Sequence, residues 1–152
     1  MREKKENRMK HITKVTIAIF LFACQFIAQA QEAPDNIIGI WLNDDKTNKI
    51  EIYKVGDTYS GKIIWIAQLE NNPGLNPKDK NNPNPDKRNQ SILGMDIITG
   101  LSFSDGKWIN GTIYTPQKGI YADCEVELHS DKQLNLVVSK GMFTRTKTWI
   151  KE

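Results

Sequence analysis

Five polar side chains crowd one proline-broken stretch of the chain: Asp79, Asn82, Asn84, Asp86 and Arg88. Two carboxylates and a guanidinium this close could orient a polar ligand, or do acid–base work on one if the acids approach each other. Asn and Asp ahead of proline are also ordinary turn formers, so the same set serves loop architecture. A calcium loop does not fit. Counted from Asp79, Pro83 takes the fifth place, the required glycine is missing, and no Glu closes the set.

A second group is Asp123, Glu125, Glu127 and His129, spaced by two. On a strand these share one face, with neighbours about 6.6–6.8 Å apart. Four such groups span about 20 Å and cannot converge on one ion, so a solvated face is expected rather than a metal site. Cys124 has the opposite parity, among Ala122, Val126 and Leu128. A thiol in that company is inert, and His129 faces away from it. No nucleophile–base pair is recognisable, so no catalytic residues are expected and no cofactor is implied.

The elements that must position these residues are strands. Period-2 alternation dominates, over 37–43, 49–55, 58–68, 94–103, 107–115, 120–129, 133–140 and 142–151. Short turns join them, at Val55-Gly56-Asp57-Thr58, Ser104-Asp105-Gly106-Lys107, Pro116-Gln117-Lys118-Gly119 and Ser130-Asp131-Lys132. Consecutive hairpins make a meander, and eight such strands protect their edges by closing into a barrel. The fold class expected is all-β: an antiparallel up-and-down eight-stranded barrel. Residues 70–92 interrupt it with four Asn-Pro pairs, which no strand tolerates. This long loop between the third and fourth strands is expected to lie over one barrel mouth. The end of the third strand is apolar on both faces, with Ile63, Trp65 and Ala67 against Ile64 and Ile66.

The start of the chain has an export signature. Arg2, Lys4, Lys5, Arg8, Lys10 and Lys14 precede an apolar run from Val15 to Ala23, and Ala28-Gln29-Ala30 offers small residues for cleavage. A signal peptide over 1–30, cut after Ala30, leaves one domain over 31–152. Met9 is an alternative start. Leu21-Phe22-Ala23-Cys24 is an alternative lipidation site that would tether the protein at Cys24. The apolar run is short for a bilayer, which takes about 20 residues, so no stable membrane span is expected. The whole chain carries 21 basic and 18 acidic residues, a net charge of +3. The first 30 residues hold six of the basic and two of the acidic ones, so the remainder carries 15 against 16, a net of −1. That balance, with no basic patch, gives nucleic-acid binding no support. Periplasmic or extracellular placement follows from the signal. Cys124 is the single cysteine of the remainder, so the fold must stand on packing rather than a disulfide.

Gly39-x-Trp41 early and Arg145 late resemble the lipocalin and calycin pattern, in which a last-strand Arg packs on the first-strand Trp. The resemblance implies a structural clasp of Gly39, Trp41, Arg145 and Trp149. A wider set of stretches resembles the bacterial exported family called domain of unknown function 2147. These are Gly39-Ile40-Trp41, Tyr59-x-Gly61-Lys62-Ile63-x-Trp65, Asp79-x-x-Asn82-Pro83-x-Pro85, Arg88 and Gly94. They continue with Trp108-x-x-Gly111-Thr112-Ile113-Tyr114-x-Pro116-x-x-Gly119-x-x-Tyr121, Gly141 and Arg145-x-x-Thr148-Trp149. The chain departs from the family in having Gln90 where a second loop Arg is expected, and in the short interval from Gly141 to Arg145. The resemblance implies a lipocalin-like barrel and supplies no catalytic residues.

Aromatics with neighbouring hydrogen-bonding groups suit the wall of an amphipathic ligand's site. The candidate ligand-binding residues are Trp65, Tyr114, Thr112 and Tyr53, with Arg88 and Asn84 orienting a polar head. The expected function is therefore an exported barrel for a small apolar or amphipathic molecule, acting as carrier, scavenger or sensor in the bacterial envelope. The alternatives are an envelope interaction module with a protein partner and, further off, an enzyme using loop carboxylates.

Overall fold

The computed structural model describes residues 33–152. The expected signal peptide, its cleavage after Ala30, Met9 and Cys24 lie outside the described residues. Eight antiparallel strands follow: β1 (Gly39–Leu42), β2 (Asn48–Val55), β3 (Thr58–Ile66), β4 (Asp96–Ser104), β5 (Lys107–Thr115), β6 (Ile120–Ser130), β7 (Gln133–Lys140) and β8 (Phe143–Lys151). Each pairs with the next, and β8 pairs back to β1, so the meander closes into a barrel as expected. Closure rests on a short seam, with Trp41 opposite Lys151 and Leu42 opposite Ile150.

Alternation fills the interior. Ile50, Ile52, Ile63, Ile98, Leu101, Val126, Leu134 and Leu136 are all buried, and Cys124 lies among them. Burial pushes the Cys124 thiol up to about 12, so it stays protonated and unreactive.

Three ladder irregularities revise the simple parity reading. A shift at Lys49/Ile50 places Ile50 opposite Ile63 but Lys49 opposite Trp65, so Ile64 is the extra residue. The face of Trp65 is thereby reversed relative to Ile63. A second shift sets Gly61 opposite Ile98 and Lys62 opposite Asp96, leaving Ile97 unpaired and, like Ile98, buried. A third, between Trp108 and Gly111, lets both Trp108 and Ile113 point inward.

One barrel end is sealed by an element that strand alternation does not announce. A 3-10 turn, Pro34–Ile37, precedes β1, where a strand starting at residue 37 was expected. Trp108 Nε1 donates to the Pro34 carbonyl at 2.9 Å, and Trp41 Nε1 donates to the Ile37 carbonyl at 2.8 Å. The Tyr59 hydroxyl donates to Asp35 Oδ1 at 2.6 Å. Lys151 Nζ reaches the Asn36 carbonyl at 3.3 Å. Ile37 itself is fully buried under the turn.

The expected clasp takes a different form. The cation over the Trp41 ring is Lys151 Nζ, 5.2 Å from the centroid, and not Arg145. The register is the reason: β8 meets β1 only at its end, so Arg145 pairs with Val138 of β7 at the far end of the barrel. Gly39 does belong to the seam. Its φ is +144°, and a Cβ there would come within 2.7 Å of Lys151 Cε. Trp149 stands inside the barrel, opposite Leu134.

The seal carries a pH dependence. The Tyr59 hydroxyl first, then Lys54 at 3.0 Å, hold the Asp35 carboxyl below its ordinary value of 3.8. A depressed carboxylate contributes stability above its unfolded value and loses it as pH falls through the lower folded value. Denaturant unfolding between pH 2 and pH 6 should therefore show Asp35→Asn less stable than the parent at pH 6, with the difference shrinking as pH falls. A constant difference across that range would contradict this role.

Candidate functional site

The two barrel ends are built differently. In a meander, alternate connections fall at opposite ends. The β2–β3, β4–β5 and β6–β7 hairpins share the end sealed by Pro34–Ile37. The other end collects 43–47, the long segment 67–95, the β5–β6 turn at 116–119 and the β7–β8 turn at 141–142.

This second end opens into a cavity of about 650 Å³. That is the size at which proteins hold drug-sized ligands. Its deep wall is apolar: Ile50, Ile63, Ile97, Ile113, Val138 and Trp149. Its mouth is polar, with Asn43, Asp45, Thr47 and Gln68 beside Lys118, Arg145 and Lys147. The β3 bulge matters here. It returns Ile66, opposite Asn48, to the cavity side while sending Trp65 out.

The indole of Trp149 is 3% exposed, and its buried Nε1 has no hydrogen-bond partner among the described residues. An unpaired buried donor costs about 1–3 kcal/mol, so the cavity floor carries an unmet polar demand. The contrast with the sealed end is direct: there both buried indoles, Trp41 and Trp108, are paired.

Most of the expected ligand residues sit elsewhere. Trp65 lies outside, with Lys49 Nζ 5.3 Å from its ring centroid. The Tyr53 hydroxyl donates to Asp96 Oδ1 at 2.7 Å, and that carboxylate pushes it up to about 12. Lys62 Nζ covers the Tyr53 ring at 4.8 Å. Thr112 is paired with Thr99 and Asp123 on the outer face. Asn84 caps a 3-10 turn, Pro85–Lys87, accepting from the Asp86 amide at 3.0 Å. Arg88 Nε donates to the Asn82 carbonyl at 2.8 Å. None of these five lines the cavity.

Tyr114 is the exception, and its hydroxyl has another task. It is among the cavity's lining residues, yet its ring stacks on Tyr121 at 4.5 Å and its hydroxyl donates to Asp79. Asp79 is completely buried and also accepts from Asn82 Nδ2 at 2.5 Å. Burial, then the Asp79 carboxylate, raises the Tyr114 hydroxyl well above its ordinary value and keeps it a donor. The Asn-Pro segment is therefore a clamped loop and does not lie over the mouth as expected. Residues 69–96 contribute nothing to the cavity wall. The clamp extends to the β5–β6 turn, where Asn81 Nδ2 donates to the Gln117 carbonyl at 2.8 Å. A Cβ at Gly119, whose φ is +65°, would run into the Asn81 carbonyl. At its far end the loop joins β3, with Gly94 N donating to the Ile63 carbonyl at 2.7 Å.

The acidic stripe of β6 is surface. Asp123, Glu125 and His129 are exposed, and Glu127 pairs with Lys107 at 3.0 Å. Among the described residues, no His, Cys, Asp and Glu groups gather to hold a metal ion.

Residues 39–151 match a family model described as an uncharacterized protein conserved in bacteria, domain of unknown function 2147. The chain belongs to this family. Its conserved description names no activity, so the family assigns none of the residues above a role. No curated protein matches the chain. Among solved structures, the barrel is similar to protein HP1028 from Helicobacter pylori, described as belonging to the lipocalin family. The two share 22% identity and a TM-score of 0.67, over 80% of this chain and 83% of the other. The family member described here thus has a lipocalin-like barrel.

Breaking the clamp has a measurable consequence. Tyr114→Phe leaves buried Asp79 short of a donor, at a cost of about 1–3 kcal/mol. Limited trypsin digestion of this variant should cut at Lys80, Lys87 or Arg88 well before the parent does. Equal cutting rates, with unchanged denaturation midpoints, would show that the hydroxyl does not hold the loop.

Proposed function

We propose that this family member is an exported barrel that holds a small amphipathic molecule in the open-end cavity, as a carrier, scavenger or sensor in the bacterial envelope. The observation that carries the reading is the cavity itself: about 650 Å³, apolar in its depth and polar at its mouth. A barrel built only for stability would fill that volume with side chains, since each void the size of a methyl or larger costs stability. Here the far end is filled and sealed while this end is not.

Support also comes from the chemistry of the wall. Apolar surface withdrawn from water contributes about 25 cal/mol per Å². A ligand lying along Ile63, Ile113 and Val138 would gain from that term, with its polar end left among the mouth side chains. Export to the envelope rests on the signal-like first 30 residues, and the carrier role on the lipocalin-like fold, which is an analogy of architecture. The reading assigns no catalytic residue.

The test is occupancy of the cavity. N-phenyl-1-naphthylamine, a neutral apolar fluorophore, should bind saturably with one site per chain. Val138→Trp, which places an indole into the cavity, should abolish that binding while leaving the unfolding midpoint close to the parent's. Absence of saturable binding by the folded parent, or unchanged binding in the variant, would overturn the proposal.

A further inference from the structure

Three side chains of β8 form a ladder down the cavity wall. Arg145, Lys147 and Trp149 alternate with outward residues, and all three line the cavity. At two residues per step the ladder spans about 13 Å, from cationic mouth to apolar floor.

The two cations of the ladder are not equivalent. Lys147 Nζ is held at 2.9 Å by Asp44 and at 3.5 Å by Asp45. Arg145 forms no ion pair and no side-chain hydrogen bond among the described residues. Asp45 is the one carboxylate among the lining residues, and it is the one already turned to Lys147. Lys118, on the β5–β6 turn at the same mouth, likewise has no acidic partner among the described residues. The mouth therefore has two cations with no countercharge, above a deep apolar wall. Elsewhere on the barrel some lysines are paired, as at Lys49–Glu152, Lys62–Glu51 and Lys107–Glu127, and others, such as Lys132 and Lys140, have no acidic partner among the described residues; what sets Arg145 and Lys118 apart is their place at the mouth of an apolar cavity.

We infer that the cavity selects amphiphiles whose polar end is an anion, a carboxylate or a phosphate monoester, seated on Arg145 with Lys118 as the second cation. This rests on the cavity-binding reading above and names its ligand class. A guanidinium offers a planar fork of donors that matches both anions. The apolar chain would run down along Val138 and Ile113 towards Trp149. A neutral head would leave Arg145 as it is; an anionic one gains a charge-assisted contact. Because the mouth is solvent-exposed, the gain is modest and falls with salt.

The experiment compares three probes of one chain length, dodecanoate, dodecyl phosphate and dodecanol, titrated by calorimetry below the micellar concentration of the two anions and the solubility limit of the alcohol. The full chain is used, with Arg145→Gln and Arg145→Lys as variants. Arg145 is exposed and has no ion pair or side-chain hydrogen bond among the described residues, so neither change should disturb folding; unfolding midpoints check this. At low salt at least one anionic probe should bind about fivefold more tightly than dodecanol, the scale of one exposed charge pair. Which anion gains more distinguishes carboxylate from phosphate ligands. Within Arg145→Gln the anionic probes should lose most of their advantage over dodecanol, and Arg145→Lys should keep more of it. Equal binding of all three probes by the parent, or a preference undiminished in Arg145→Gln, overturns the inference and leaves the cavity reading standing. If no probe binds, the cavity reading falls and this inference falls with it.

Discussion

Three aromatic polar atoms inside this barrel need partners, and a four-residue turn supplies them. Trp108, Tyr59 and Trp41 donate to Pro34, Asp35 and Ile37, and Lys151 reaches Asn36 from the last strand. Large aromatics are the efficient way to fill a narrow barrel, but Trp and Tyr bring an N–H or O–H that is expensive to bury unpaired. The 3-10 turn is short enough to cover the barrel end and presents two carbonyls and the Asp35 carboxylate to those donors. It also draws together the seam, since Lys151 both covers the Trp41 ring and pairs with Trp41 across β1 and β8. Sealing, satisfaction of the aromatics and barrel closure are thus one arrangement.

The open end follows from the same constraint by contrast. Among the described residues no comparable turn lies over it, the indole N–H of Trp149 on the cavity floor has no partner, and the long Asn-Pro segment is held against β5 and the β5–β6 turn instead. Buried Asp79 is the pin of that arrangement, accepting from both Tyr114 and Asn82. Held there, residues 69–96 contribute nothing to the cavity wall.

Much of the fold was legible in the sequence because period-2 alternation and Gly/Asp turns are local signals. β6 is the plainest example: Cys124 and Val126 are buried while Asp123, Glu125 and Glu127 are exposed. The sealing turn was less legible, although Pro34 followed by Asp35 is a helix-start signature that could have marked it. The site was mostly hidden, for a physical reason. Bulges change which residues face inward, and nothing local announces them; the extra residue at Ile64 is what sends Trp65 out under Lys49. Arg145 was legible as important yet misplaced, since its partner depended on where β8 meets β1. The loop residues Asn84 and Arg88 carry polar groups whose satisfaction within the loop only the folded backbone reveals.

A barrel with one completed end and one open cavity makes a spatial claim about where a ligand goes. The most direct measurement is an amide NMR titration of the isotope-labelled protein with dodecanoate. Shift changes should concentrate on residues 43–50, 63–68, 113–118 and 138–149, the strands and turns around the cavity. Residues 34–37 and the hairpins at the sealed end should stay unchanged. Changes centred on the sealed end, or scattered over the outer surface with no cluster at the cavity, would contradict this account.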